Sequence, residues 1–264
     1  MPQTPAQPSP RPPVGAGRSV HTVDDVLALM DLLFAERADR WTDRGGADFW
    51  DRFYADRDRP VPFFRWAPDE SLAAWAADGR LPLGPGTRVL ELGCGPGRNA
   101  VWLAQQGCAV DALDLSATAV AWGRERAAEA GVDVRFARAD IFRWQPPAEP
   151  YDLVYDSGCF HHLPPHRRVS YRALLERTVR PGGRFGIACF AAGDDGHDDR
   201  GGTGADDVDL YREGGLGGGL AYGADDLRRA FGWLEEVELR RMRAATGPGD
   251  AFGEDFLWAG LFRR

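Results

Sequence analysis

Long hydrophobic runs are missing from this chain. No stretch of its 264 residues approaches ~18 consecutive apolar positions, so no membrane-spanning helix is expected. Lysine is absent, and the positive charge rests on arginine. The 32 basic residues are outnumbered by 40 acids, a formal charge of −8. That balance argues against non-specific nucleic-acid binding, which depends on neutralising phosphates. Cysteine is scarce as well. Cys94, Cys108, Cys159 and Cys189 form no C-x-x-C pair, which disfavours a disulfide framework and fits a reducing, cytoplasmic setting. Cys189 lies in an apolar run and reads as a small packing residue. Residues 1–18 lack an apolar core, so no secretory signal is expected, and their Pro, Gln and Ser content predicts a disordered tail. There are no internal repeats. What remains is 44% hydrophobic and 27% charged, an ordinary globular balance sized for one α/β domain with a tail and insertions.

The most informative stretch is Val89-Leu90-Glu91-Leu92-Gly93-Cys94-Gly95-Pro96-Gly97-Arg98-Asn99. A short apolar strand, broken by one acid, runs into a glycine turn that feeds a helix. Doubly wound α/β domains open nucleotide sites in this way, at the carboxyl end of the first strand. A dinucleotide fingerprint requires G-x-G-x-x-G, with glycine at position 98. Arg98 stands there, which counts against a nicotinamide dehydrogenase. Glu91, two residues before the first glycine, would repel a pyrophosphate and attract an ammonium group. The loop therefore suits a cationic ligand such as S-adenosylmethionine.

Periodicity predicts the surrounding elements. Thr22 and Asp25 form a capping-box pattern ahead of a helix. Residues 41–68 alternate aromatics with Asp and Arg, including Trp41, Trp50, Tyr54 and Phe63. They read as a packing strap, a lid over cofactor and acceptor, or both, within an N-terminal helical cap over 19–80. The main domain spans 86–264. Strands are expected at 88–92, 109–113, 132–136, 151–155, 184–190, 234–243 and 255–263. Helices are expected at 98–106, from Ser116 to about 130, at 164–179 and at 225–231. Residues 191–222, rich in Gly and Asp, form an insertion or lid. Gly247-Pro248-Gly249-Asp250 reads as a hairpin connection. The result is a Rossmann-like, doubly wound, mostly parallel seven-stranded sheet with an antiparallel C-terminal hairpin.

Four pieces, each at a strand's carboxyl end, resemble the class I S-adenosylmethionine-dependent methyltransferases, small-molecule type. They are Glu91–Gly97, Asp114-Leu115-Ser116, Ala139-Asp140-Ile141, and Tyr155-Asp156-Ser157-Gly158-Cys159-Phe160-His161-His162-Leu163. Asp114 lies 21 residues beyond Gly93, a spacing that suits an acid receiving ribose hydroxyls. The resemblance implies that Glu91, Gly93, Cys94, Gly95 and Gly97 cradle the amino-acid part of S-adenosylmethionine. It implies Asp114 and Leu115 at the ribose, and Asp140 and Ile141 at the adenine. Asp156 is assigned to the cofactor, with the 155–163 loop facing sulfonium and acceptor. The Gly95–Ala112 run and the aromatic segment around Trp50 are also similar to the tellurite-resistance and thiopurine methyltransferase branch, which favours a small acceptor.

His162, and after it His161, are the candidate bases, because imidazole suits proton removal near neutral pH. The alternative is that both only shape the loop. Tyr54, Phe63, Tyr211 and Tyr222 are candidate acceptor contacts. The acids and His197 between 194 and 199 read as a solvated loop, and no metal is expected. The expected partner is a small-molecule methyl acceptor, with no nucleic acid and no membrane. A protein that holds S-adenosylmethionine without methylating stays open as an alternative. So does a protein or nucleic-acid methyltransferase, although the Asn- or Asp-Pro-Pro-aromatic motif is missing at Asp156-Ser157-Gly158-Cys159.

Overall fold

A computed structural model describes residues 20–34, 40–43, 45–193, 203–213, 216, 218–245 and 251–264. The expected tail, the 194–199 acids and the 247–250 connection lie outside these residues. Thr22 closes its capping box, with Asp25 N–H donating to Thr22 Oγ1 (3.2 Å) and Thr22 N–H to Asp25 Oδ2 (2.8 Å). Helix α1 (Val23–Phe34) follows, then α2 (Gly46–Ala55), a 3₁₀ turn at Pro62–Phe64 and α3 (Glu70–Ala77).

The sheet begins with β1 (Arg88–Leu92), α4 (Arg98–Gln105), β2 (Ala109–Asp114), α5 (Ala117–Ala130), β3 (Arg135–Arg138) and β4 (Tyr151–Ser157). It continues through α6 (Arg167–Thr178), β5 (Val179–Phe190), α7 (Asp207–Glu213), α8 (Ala224–Phe231), β6 (Glu235–Arg241) and β7 (Leu257–Arg263). Seven strands lie in the order β3-β2-β1-β4-β5-β7-β6. The first five run parallel, and β7 is antiparallel to both of its neighbours. Strand order reverses between β1 and β4, and a crevice opens at their carboxyl ends.

Alternation along the strands builds a core on each face. Val89 packs with Trp75, Leu103 and Val120 on one side, while Leu90 packs with Tyr171, Leu174 and Phe185 on the other. Ser116 Oγ accepts the Ala119 N–H (3.0 Å) to start α5, and Gly131 ends it at φ 68.

Several boundaries differ from expectation for identifiable reasons. β3 starts at Arg135 rather than 132, because the Val132 N–H turns back to Ala127 O (3.0 Å) to finish α5. α6 starts at Arg167 rather than 164, because Pro164-Pro165 build a preceding turn. β5 already begins at Val179, which pairs with Tyr151 before a register shift. The 191–222 segment carries the unpredicted α7, and bridges Ala191–Tyr222 and Thr203–Leu220 tie it down.

The aromatic segment docks over the crevice. Tyr54 and Phe64 form a third cluster with Ala119, joined by Trp50, Phe53 and Trp122. Asp51 Oδ1 accepts Ser116 Oγ–H (2.6 Å) and Thr118 N–H (3.0 Å), fixing α2 at the amino end of α5. α1 is held by Asp31, which is buried and accepts bonds from Trp41 Nε1 (2.9 Å) and Arg167 Nε (2.9 Å). His166 Nε2 lies 2.8 Å from the same carboxylate. The Arg167 cation and the hydrogen bonds from His166, Arg167 and Trp41 hold the Asp31 carboxyl down to about 2, against the upward push of burial.

Candidate active site

A cavity of about 420 Å³ lies at the carboxyl ends of β1, β2 and β4, roofed by the aromatic segment. Its floor includes Gly93, Asp114, Leu115, Ala139, Ile141 and the 157–159 turn, and its roof includes Trp41, Phe49, Trp50, Phe53, Tyr54 and Phe63. The glycine loop reaches this position only because it turns left-handed. Gly93 has φ 63, Gly95 φ 51 and Gly97 φ 75. A Cβ on Gly97 would lie 2.5 Å from Phe136 Cζ, and one on Gly95 2.9 Å from Tyr54 Oη.

The acids divide by environment. Asp114 faces the cavity, its Oδ2 accepting Gly95 N–H (2.8 Å) and its Oδ1 accepting Ser116 N–H (2.8 Å). Burial raises its carboxyl to about 6, against the pull of those amides. Glu91 is buried beneath the loop, and burial raises it further, to about 8. Its Oε1 accepts Asn99 Nδ2–H (3.2 Å), while Oε2 has no well-formed hydrogen bond. Asp140 sits behind Ala139 and Ile141, its Oδ1 accepting the Phe142 N–H (2.9 Å), and burial raises its carboxyl too.

Asp156 departs from its expected place. It is wholly buried and does not line the cavity. It accepts Cys159 N–H (2.9 Å) and Tyr171 Oη–H (2.6 Å), so it shapes the turn instead of facing a ligand. Cys94 likewise lies behind the loop, its N–H donating to Leu113 O (2.9 Å). Tyr211 and Tyr222 are outside the cavity. Tyr211 Oη meets His166 Nδ1 (2.8 Å), and Tyr222 Oη accepts from Arg168 Nε (3.2 Å).

The histidines separate by contact. His161 stacks on Phe190 with centroids 3.9 Å apart, and its Nδ1 accepts the Phe190 N–H (3.2 Å). His162 meets the Trp50 edge at 4.9 Å, and its buried Nδ1 has no partner. Burial pushes His161 down to about 3 and His162 well below the usual imidazole range, and Arg40 adds to both effects. Both rings are therefore neutral throughout the physiological range.

Sequence reasoning missed one cluster. Asp69, fully buried, meets Arg98 Nη2 at 2.5 Å, accepts Tyr155 Oη–H (2.6 Å) and receives Asn99 Nδ2–H (3.3 Å). Arg98 also donates to Ser157 Oγ (2.9 Å) and stacks 4.2 Å over Phe252. This network fastens the turn before α3 to the glycine loop. The only available signal was that Arg98 and Asn99, polar residues, open a helix that is otherwise buried there. Among the described residues, no group of three or more His, Cys, Asp or Glu side chains could hold a metal ion.

A family profile described as "Methyltransferase domain" matches residues 89–183, the segment that carries every floor element of the cavity up to β4. The glycine loop and the strands that floor the cavity thus fall within a segment similar to known methyltransferase domains. The domain is 35% identical over 115 residues to 27-O-demethylrifamycin SV methyltransferase of Amycolatopsis mediterranei, covering 42% of each chain. It is 32% identical over 130 residues to trans-aconitate 2-methyltransferase of Variovorax paradoxus, covering 48% of each. The chain thus spans less than half the length of these curated relatives. Among solved structures, it is similar to a protein studied for the conversion of a disulfide bond into a thioacetal group during echinomycin biosynthesis. That match has a TM-score of 0.60 and 26% identity over 83% of this chain and 91% of that one. TehB from Haemophilus influenzae is similar in fold, with a TM-score of 0.53 and 21% identity over 72% of this chain and 62% of that one. No helix among the described residues is long and apolar enough to cross a membrane.

Proposed function

We propose that the protein catalyses methyl transfer from S-adenosylmethionine to a small-molecule acceptor by in-line displacement, with residues 86–264 as the catalytic domain and 19–80 as its cap. The observation that carries this reading is the single cavity joining Gly93, Asp114 and Ile141 on its floor to an aromatic roof. The residues suit the cofactor. Glu91 keeps an unsatisfied carboxyl oxygen beneath the loop, and Asp114 presents a carboxylate whose two amide bonds fix its orientation.

In this reading Glu91 and the Gly93–Gly97 backbone, with Cys94 buttressing it, serve the methionine part. Asp114 and Leu115 hold the ribose, and Asp140 and Ile141 flank the adenine. Asp156 acts by setting the 157–160 turn. When bound, S-adenosylmethionine supplies a methyl group already activated on a sulfonium. The protein's work is then alignment and exclusion of water. Trp50, Tyr54 and Phe63 wall the acceptor side. His162 offers a neutral Nδ1 that can accept a hydrogen bond from the acceptor, which orients it without forming a stable imidazolium. His161, committed to Phe190, supports it from behind. Relatives named for small acceptors, including 2-heptyl-1-hydroxyquinolin-4(1H)-one methyltransferase of Mycobacteroides abscessus, favour a small-molecule substrate.

Incubation with S-adenosylmethionine and fractionated small-molecule pools, with detection of S-adenosylhomocysteine and of methylated product, tests the proposal. Acceptor-dependent S-adenosylhomocysteine is expected. Tight cofactor binding with no turnover on any pool would favour a non-methylating role.

A further inference from the structure

Among the described residues, the roof of the cavity carries a cation, Arg40, that no carboxylate balances. Arg40 lines the roof, its Nη1 donating to Gly218 O (3.1 Å) and its guanidinium lying 4.6 Å from the Phe49 ring centroid. Among the described residues, no carboxylate forms an ion pair with it. Arg98, by contrast, meets Asp69, and Arg167 meets Asp31. The two imidazoles near Arg40 are neutral, so they add no compensating charge and no competing one. The remaining walls on that side are flat and apolar, formed by Trp41, Phe49, Trp50, Phe53, Phe63 and Phe190. Arg40 is half-buried, so its guanidinium reaches the cavity still partly solvated and presents a planar fork of donors that an anion held against the rings would meet better than water does.

We propose that the acceptor is a planar aromatic small molecule bearing an anionic group, which Arg40 receives while the rings of the roof stack on the acceptor's face. This deepens the methyltransferase reading and rests on it for the purpose of the cavity. It makes Arg40 a specificity-determining residue, selecting charged acceptors over neutral isosteres of the same shape. Stacking alone would tolerate either.

The test uses 2-naphthoate and its neutral isostere 2-naphthamide as probes, titrated calorimetrically into the full chain saturated with S-adenosylhomocysteine. Naphthoate is expected to bind at least about tenfold more tightly than the amide, as a charge-assisted pair should. Arg40→Gln is expected to bring the ratio near one, and Arg40→Lys to preserve part of it. Equal affinities in the native protein overturn the proposal without recourse to any variant. So does a ratio unchanged in a folded Arg40→Gln protein, or binding of neither probe. Failure of S-adenosylhomocysteine itself to bind strikes the methyltransferase reading instead. The probe ratio measured on unliganded protein then still decides the claim for Arg40.

Discussion

Replacing Asp69 by Asn tests whether the hidden ion pair holds the glycine loop. Asn keeps the volume, the bond from Tyr155 Oη and the contact with Asn99, while removing the charge that faces Arg98 at 2.5 Å. The Arg98 guanidinium would then stay buried, retaining only Ser157 Oγ, Ala67 O and the Phe252 ring. Breaking one side of a buried pair costs about 3–5 kcal/mol, and the surviving bonds place this case at the low end, about 3 kcal/mol. For a domain of this size, that lowers Tm by roughly 6–12 °C. Thermal and urea unfolding of Asp69→Asn, Arg98→Met and the double variant supply the measurement. The coupling between the two sites should be on the order of 1–3 kcal/mol, since the double variant leaves no unpaired charge. A single variant within ~1 kcal/mol of the native protein, or strictly additive losses, would refute the reasoning.

Gly97→Ala combines a left-handed φ of 75 with a Cβ 2.5 Å from Phe136, and should cost about 2–5 kcal/mol in denaturant unfolding. Burial raises Glu91 to about 8 and Asp114 to about 6, so these two groups bind more protons in the ligand-free fold than in the unfolded chain between their ordinary values and these. Their contribution to stability should therefore be fully present below about pH 4 and be lost as pH rises through 6 and 8, while His161 and His162, held neutral by burial, act in the opposite sense as pH falls below the ordinary imidazole value of 6.5. Glu91→Gln should flatten the upper part of that decline in unfolding measured across pH. Asp31, held down to about 2, acts in the opposite sense and only below its ordinary range, as pH falls towards 2. His161→Phe keeps the stack on Phe190 but leaves its N–H without an acceptor, for a loss of about 1–2 kcal/mol and little change in turnover. His162→Phe should instead lower kcat/KM at least about tenfold on an identified acceptor, with smaller effect on stability.

The sheet was legible because its signals are local. β1, β2 and α5 fall within a residue of expectation, since apolar runs, Ser116 and Gly131 mark their ends without help from distant residues. The floor of the cavity was legible for the same reason: Gly93, Asp114 and Ile141 stand at strand ends. The roof was not. Nothing in residues 41–68 announces that Trp50 meets His162, or that Asp51 reaches Ser116 across 65 positions. Tyr211 and Tyr222 lie outside the cavity, their hydroxyls engaged by His166 and Arg168, side chains on or beside α6. Asp156 sits at a strand end like Asp114, yet two amides and Tyr171 turn its carboxylate inward, a distinction only packing makes. The Asp69–Arg98 pair joins residues 29 positions apart and leaves no local signature.

Calorimetric titration of the full chain with S-adenosylhomocysteine, compared with Asp114→Ala, is the most direct measurement. The cleft described here predicts saturable one-to-one binding that weakens at least about tenfold in the variant, the loss expected for charge-assisted bonds to a ligand hydroxyl pair. No association with S-adenosylhomocysteine or S-adenosylmethionine, together with tight binding of a nicotinamide or flavin, would contradict it.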